Sequence, residues 1–388
     1  MPHGLPAKAV RPRLTVLQVL PALESGGTER GVLEVAEALV AAGHQSIVIS
    51  AGGRKVAELT KLGSQHVQRD IGTKSPLALR HIPWLRRFLL KQNVDVVDIH
   101  SRMPGWITYA AWKSLPACRR PALISTVHGF YSVNAYSGIM CRGQHVVAVS
   151  DSVADYVRHN YSFVPDERLQ VIHRGIDRAE FPRGFRPTNE WVTEFFHRFP
   201  AAANKKLLAI VGRISRLKGH LDFVRLVAEL RGQDHSIHGL IVGEADPRRA
   251  SYVEEIRQLV AKLGLQGHIT MTGHRTDVRE IYAISTMVLC LSSTPESFGR
   301  TVAEALSIGT PVVGYNHGGV AEILAAEFPA GAVEFQDFEE LSAVVRQLLS
   351  DPGLYVPVIN RFEKSVMQEK TIRLYEAAYN QSVLSRRP

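Results

Sequence analysis

Pro295-Glu296-Ser297-Phe298-Gly299-Arg300-Thr301-Val302-Ala303-Glu304-Ala305-Leu306 decides the reading of this chain. The apolar run before it, Met287 to Leu291, has the length and composition of a buried strand. After it, Val302, Ala305, Leu306 and Ile308 recur at helical spacing, and Gly309 then Pro311 end the helix. The stretch is therefore a loop entering a helix at the carboxyl end of a strand, where open α/β sheets bind ligands. Phe298 to Thr301 present backbone N–H groups at the helix N-terminus, which suits an anion. Glu296 falls on the loop and Glu304 inside the helix. Carboxylates are poor phosphate ligands and good acceptors for sugar hydroxyls, so the combination describes a sugar nucleotide. The same spacing also suits a capped surface helix with an acidic residue at each end.

The strands on either side extend the α/β reading. Leu14 to Leu20 is a near-continuous apolar run, as in parallel sheets buried on both faces. A loop with Gly26-Gly27 follows, then a helix with Val32, Leu33, Val35, Ala36 and Leu39 on one side, then the strand Ile47 to Ile49. This is a doubly wound opening. Gly26 and Gly27 suit a tight turn or the close approach of a ligand to the backbone, and their spacing is not the dinucleotide fingerprint. Further strands are expected at Val94 to His100, Ala122 to Val127, Val146 to Ser150 and Leu169 to Ile172. His128 follows the second of these, placed to face a cleft or to be satisfied by the core. Residues 181–204, with scattered Pro and Gly, are expected to be an interdomain linker with a short helix near Glu190 to Phe199. A second α/β unit opens at Leu207 to Val211. Arg213 and Lys218 fall on its first strand-to-helix loop, where cations meet phosphate. Helices are expected from Phe338 to Leu349 and from Glu363 to Leu384.

The 388 residues, 45% of them hydrophobic, suit two domains with their own cores. Cys118, Cys141 and Cys290 lack metal-ligand spacing, and Cys141 and Cys290 have apolar neighbours, which suits buried thiols in a reducing cytoplasm. No run of about 18 apolar residues is present, so no span is expected. Met1 to Arg13 lacks the apolar stretch of a signal peptide. Residues 1–180 hold 22 Lys and Arg against 14 Asp and Glu, a net of +8, while residues 181–388 hold 24 against 23. Within 71–94, Lys74, Arg80, Arg86, Arg87 and Lys91 face no acid, and Trp84, Leu85, Phe88 and Leu89 alternate with them. Ser75 caps this segment, Pro76 fits its first helical position, and Pro83 is expected to kink or split it. A basic amphipathic segment suits an anionic membrane surface; a helix packed on the sheet with a solvated basic face fits the pattern as well.

Several of these loops together resemble one family. Gly26-Gly27-Thr28-Glu29-Arg30, Thr126-Val127-His128-Gly129, His173-Arg174-Gly175-Ile176-Asp177, Gly212-Arg213 with Lys218-Gly219, and Glu296 to Glu304 are similar to the motifs of retaining GT-B glycosyltransferases, in the family 4-like group that includes bacterial lipopolysaccharide-core and mannosyl transferases. The resemblance runs from Leu14 to about Ala378. It implies two facing Rossmann-like domains with a cleft between them. Residues 1–180 would bind the acceptor and 205–364 the nucleotide sugar, and a last helix, about 365–388, would cross back to the first domain. It implies that Arg213 and Lys218 hold the donor diphosphate and Glu304 the ribose hydroxyls. Glu296 and His128 would lie at the donor sugar, Phe298 and Gly299 near sugar and phosphates, Gly26 and Gly27 by the donor phosphate and acceptor, and His274 by the base. The implied activity is transfer of a hexose-type sugar, from a UDP-sugar by preference, to a glycan or lipid-linked acceptor in cell-surface polysaccharide or lipopolysaccharide synthesis. No cofactor or nucleic acid is expected, and no metal either, since no Asp-x-Asp stands in a matching loop. The expected place is the cytoplasm, with peripheral contact to an anionic membrane. His173-Arg174 departs from the Asn that commonly precedes the family's Gly, and Ser297 replaces a common Gly. A sugar-nucleotide epimerase of the same architecture and a non-enzymatic polyanion-binding protein are the alternative readings.

Overall fold

A computed structural model describes residues 13–24, 26–245 and 250–384. The leader reading on residues 1–12 lies outside them. The chain forms two compact units. The first holds the chain up to Ala148, then Tyr156–Ile172, then the residues from Gln368 onward; the second holds Val149–Asp155 and His173–Met367.

The first unit is built on a parallel sheet of β1 (Thr15–Val19), β2 (Gln45–Ser50), β3 (Gln65–Gln68), β4 (Val96–Ile99), β5 (Ala122–Val127), β6 (His145–Ala148) and β7 (Leu169–Val171), in the order β3-β2-β1-β4-β5-β6-β7. The strand order reverses between β1 and β4. In the central strands Val16, Leu17, Val19, Val96, Val97 and Ile99 are all but inaccessible to solvent, which explains their unbroken apolar runs. Each such side chain contributes roughly 1.5–3 kcal/mol. The helix Gly27–Ala41 covers the sheet with Val32, Leu33, Val35, Ala36 and Leu39.

The second unit repeats the plan with β8 (Lys206–Val211), β9 (Ile237–Val242), β10 (Ile269–Gly273), β11 (Met287–Cys290), β12 (Val312–Tyr315) and β13 (Ala332–Val333), ordered β10-β9-β8-β11-β12-β13 and parallel. Its order reverses between β8 and β11. Residues 181–204, expected as a linker, pack into this unit. Phe181, Phe195 and Ala202 belong to its core, and Thr188 caps the helix Asn189–Arg198. The Pro and Gly residues there break periodicity without loosening the chain from the core.

The 71–94 segment does split, but before Pro83. A short 3-10 helix, Pro76–Arg80, precedes the α-helix His81–Lys91, and Pro83 falls in the first turn of the latter, where its missing N–H costs little. The Ser75 side chain accepts from the Leu77 N–H at 3.3 Å, as its capping role requires. Leu85 and Leu89 are buried, and Trp84 stacks on Phe88 at 5.2 Å. Leu77 and Leu79 are exposed.

The last helix, Lys364–Leu384, leaves the second unit and joins the first at Gln368. Gln368 donates to the Glu34 carbonyl at 2.7 Å, and the buried Tyr375 hydroxyl donates to Asp98 at 2.6 Å. Among the described residues no helix is long and apolar enough to cross a membrane.

Candidate functional site

The site in the second unit grows from the two strands at its order reversal. The loop after β8 runs from Gly212 through Arg213 to Lys218 and ends at Gly219, which starts the helix His220–Arg231. Gly219 has φ 74°, and a Cβ there would lie 1.9 Å from the Leu291 carbonyl oxygen. Only glycine lets this loop press against the end of β11. The Ser293 N–H completes the contact by donating to the Leu217 carbonyl at 2.8 Å.

That contact brings Lys218 to Glu296. The Lys218 Nζ lies 2.6 Å from Glu296 Oε1. The same oxygen accepts from the Ser292 hydroxyl and, at 3.6 Å, from the Cys290 thiol. Burial pushes the Glu296 carboxyl upward, but Lys218 and these two donors hold it below the usual carboxylate range. Burial likewise opposes the charge on Lys218, and Glu296 overcomes it, keeping the ammonium above its usual range. Arg213 opposes that effect as a like charge and is itself exposed. Cys290, expected among apolar neighbours, thus touches a carboxylate; burial raises its thiol pKa, and Glu296 adds to the shift. Cys141 is buried with its thiol pushed up to about 12, and Cys118 is exposed.

The helix Arg300–Ile308 follows, with Gly299 at its N-cap at φ 88°. A glycine cap adds no side chain over the first N–H groups, and they remain suited to an anion. Phe298 is buried against Phe362 at 5.8 Å, which fixes the loop from one side. Glu304 is buried in the helix and accepts from the Tyr282 hydroxyl at 3.1 Å. His274 lies exposed just after β10, two strands away from β8. Arg213, Lys218, Glu296, Phe298 and Gly299 are therefore gathered at one sheet end, with Glu304 one helical stretch further on. Ser292, Cys290 and Tyr282 hold these groups, and nothing in their sequence spacing announces it.

The first unit carries its own set, also at the order reversal. Gly26 is extended, at φ 173°, and caps the helix Gly27–Ala41. A Cβ on Gly27 would meet nothing within 4 Å. Neither glycine is required by the turn. His128, at the end of β5, is half-buried and pairs its Nε2 with His100 Nδ1 at 2.9 Å. His100 ends β4 and reaches Gln18 Oε1 of β1 through its Nε2 at 3.1 Å. The backbone N–H of His128 donates to the Tyr131 hydroxyl at 3.2 Å. His100 escaped the sequence reading although the signal that singled out His128, a histidine at a strand's carboxyl end, applies equally to it.

The turn at 173–177 departs from the family pattern, and its bonds are now visible. His173 Nε2 lies 3.0 Å from Asp151 and 3.3 Å from Glu322. These three offer atoms within 4.8 Å of one another, the spacing of a metal cluster. Glu322, however, already accepts from the Asp151 and Ser152 N–H groups at 2.9 and 2.7 Å, which makes it a helix cap. Asp177 is paired with Lys364 at 2.6 Å, so the departure at His173-Arg174 leaves it in a built ion pair.

Comparison with known proteins bears on the family and the fold. The model for Glycosyltransferase Family 4 matches residues 25–180, and that for Glycosyl transferases group 1 matches residues 192–365. A glycosyltransferase from Rickettsia africae ESF-5 has a crystal structure that superposes with a TM-score of 0.83 at 30% identity, covering 94% of this chain and 98% of that one. An uncharacterised glycosyltransferase of Methanocaldococcus jannaschii is 24% identical over 375 residues, which is 89% of this chain and 92% of that protein. Anabaena HepE, solved with UDP and glucose, has the same fold, with a TM-score of 0.78 at 18% identity over 93% of this chain and 99% of that one. The two parallel sheets, the loops at their order reversals and these matches together make the chain a GT-B glycosyltransferase of the family 4-like group.

Proposed function

We propose that this glycosyltransferase moves a hexose-type sugar from a UDP-sugar to a glycan or lipid-linked acceptor of the bacterial cell surface, with retention of anomeric configuration. The observation that carries the reading is the Lys218–Glu296 pair beside the open N-terminus of the helix Arg300–Ile308. A cation, a set of N–H groups and two carboxylates within one sheet end match a diphosphate joined to hydroxylated rings. UDP is favoured because HepE, of the same fold, was solved with UDP and glucose.

In this reading Arg213 and Lys218 take up the charge that grows on the departing diphosphate, with Phe298 and Gly299 offering backbone N–H groups. Glu304, oriented by Tyr282, accepts from the ribose hydroxyls. Glu296 and His128 contact the donor sugar, and Gly26-Gly27 admits phosphate and acceptor close to the backbone. His274 flanks the base. The cationic loop does the work of a divalent ion, so no metal is required. Attack proceeds on the face the leaving group departs from, assisted by a phosphate oxygen. The net +8 on residues 1–180 suits an acceptor at an anionic membrane on the cytoplasmic side.

A thermal-shift panel of UDP-, GDP-, ADP- and dTDP-sugars tests the donor. UDP-sugars are expected to stabilise the second unit, and Lys218→Ala and Arg213→Ala to reduce transfer by about 2–4 kcal/mol of transition-state stabilisation while the protein stays folded. Stabilisation by another nucleotide alone would reassign the donor. Activity within twofold of wild type in both variants would remove this loop from the site. Epimerisation of the donor sugar without acceptor would favour the epimerase instead.

A further inference from the structure

The first sheet buries a chain of polar groups that the mechanism above does not use. Gln18 lies in β1, paired in register with Asp98 of β4, and both are almost completely inaccessible. Gln18 Nε2 donates to the Val32 carbonyl at 3.2 Å, and a carbonyl only accepts. That bond fixes the amide, so Oε1 is the atom that meets His100 Nε2 at 3.1 Å. His100 Nε2 must then carry a proton. In the neutral ring its Nδ1 is bare, and the 2.9 Å contact requires His128 Nε2 to be the donor. Asp98 lies beside this ring without a hydrogen bond to Nε2. Its nearest oxygen is 3.6 Å from His100 Nε2, outside hydrogen-bonding range, and its carboxylate accepts from Tyr375 at 2.6 Å and Thr126 at 2.9 Å.

We propose that Gln18 and His100 are positioning residues that hold His128 in its Nε2–H tautomer, with Nδ1 as the lone-pair nitrogen. The inference rests on the reading that His128 lies at the donor sugar. A ring held this way meets a sugar hydroxyl as an acceptor and is ill-suited to a phosphate oxygen. It ties selectivity at the sugar to a glutamine on a different strand. Both partners are buried and come from the strands on either side of the order reversal, so the ring direction is set by the sheet itself.

Long-range proton–nitrogen correlation spectra of the full chain, labelled with ¹⁵N-histidine, test it. His128→Gln identifies the His128 signals among the 16 histidines. Wild type is expected to show His128 protonated at Nε2 and bare at Nδ1 near neutral pH. Gln18→Leu and His100→Leu are expected to convert it to a tautomer mixture, with kcat down about tenfold or more and donor KM within twofold. The wild-type spectrum needs no variant to fold. A bare Nε2 on His128, as a doubly protonated His100 would impose, overturns the proposal, as does an unchanged tautomer in both variants. If the tautomer result holds but His128→Ala transfers sugar normally, the placement of His128 at the donor fails instead.

Discussion

Replacing Lys218 by Met should cost about 2–3 kcal/mol of the second unit's stability, well beyond the cost of an exposed ion pair. The 2.6 Å contact joins side chains that keep only 27% and 19% of their accessibility. A charge-assisted hydrogen bond of this kind contributes about 1.5–3 kcal/mol, and a wholly orphaned buried charge costs about 3–5 kcal/mol. Glu296 would keep the Ser292 and Cys290 donors after the substitution, which places the loss below the second range. Glu296→Gln should cost about 1.5–2 kcal/mol by stranding the ammonium. The double variant should cost about 2 kcal/mol rather than the sum, a coupling of roughly 2 kcal/mol. Trp191 is a suitable reporter, because it stacks on the buried Phe195 at 5.0 Å and donates to Asp277 at 2.8 Å within this unit. Urea unfolding would be followed by its fluorescence with Trp84, Trp106 and Trp112 changed to Phe. The pH dependence has a defined sign. The depressed Glu296 contributes above its unfolded pKa, about 4.3, and loses that contribution as pH falls through the folded value. The raised Lys218 contributes below about 10.4 and loses it as pH rises through the folded value. The coupling should therefore be level between about pH 5 and 10 and shrink outside. Additivity of the two single changes to within about 0.5 kcal/mol at pH 7.5 would refute the reasoning.

Gly219→Ala should abolish soluble expression or cost more than about 3 kcal/mol, since its Cβ would enter the Leu291 carbonyl, whereas Gly27→Ala should unfold like wild type and lose transfer. Circular dichroism melts with a transfer assay separate the two; a normal melt for Gly219→Ala would show that the loop relaxes. Turnover should persist in EDTA, and full loss restored by Mg²⁺ or Mn²⁺ would mean that the cationic loop is insufficient. Wild type should pellet with anionic vesicles and release as salt rises. Each of Arg86 and Arg87 would contribute about 1 kcal/mol, alongside the exposed Leu77 and Leu79. Arg86→Glu with Arg87→Glu should then stay in solution, and equal binding to neutral vesicles would remove the membrane from the account.

What the sequence discloses follows from burial. The central strands, sealed on both faces, are uniform apolar runs and read directly, as Val96 and Val97 or Leu208 and Ala209 show. The edge strand Gln65–Gln68 is polar and only partly covered, and it has no such signature. The helix Arg102–Lys113 is equally hidden, because Pro104 and Gly105 break its pattern; they fall in its first turn, where a helix tolerates them. At the site, Arg213, Lys218, Glu296 and Glu304 are marked by chemistry at fixed offsets from strands. Ser292, Tyr282 and Gln18 act through contacts that only the folded sheet creates, and a serine, a tyrosine or a glutamine in an apolar run looks the same whether or not it meets such a partner.

The bond from Tyr375 to Asp98 has a consequence for how the protein is made. The sheet that is synthesised before the second unit depends on a hydroxyl synthesised after it, 277 positions further along the chain. Until the helix Lys364–Leu384 is made, Asp98 is a buried carboxylate beside His100 with Thr126 as its hydroxyl partner, and Gln368 has not yet reached the helix at Glu34. Domains generally complete in the order of synthesis. Here the first unit must wait for the helix that follows the second, while the second has all its strands and its core in one stretch of chain. A stop codon shortly before Gln368 would therefore damage the first unit rather than the second, which lies nearer to it in sequence.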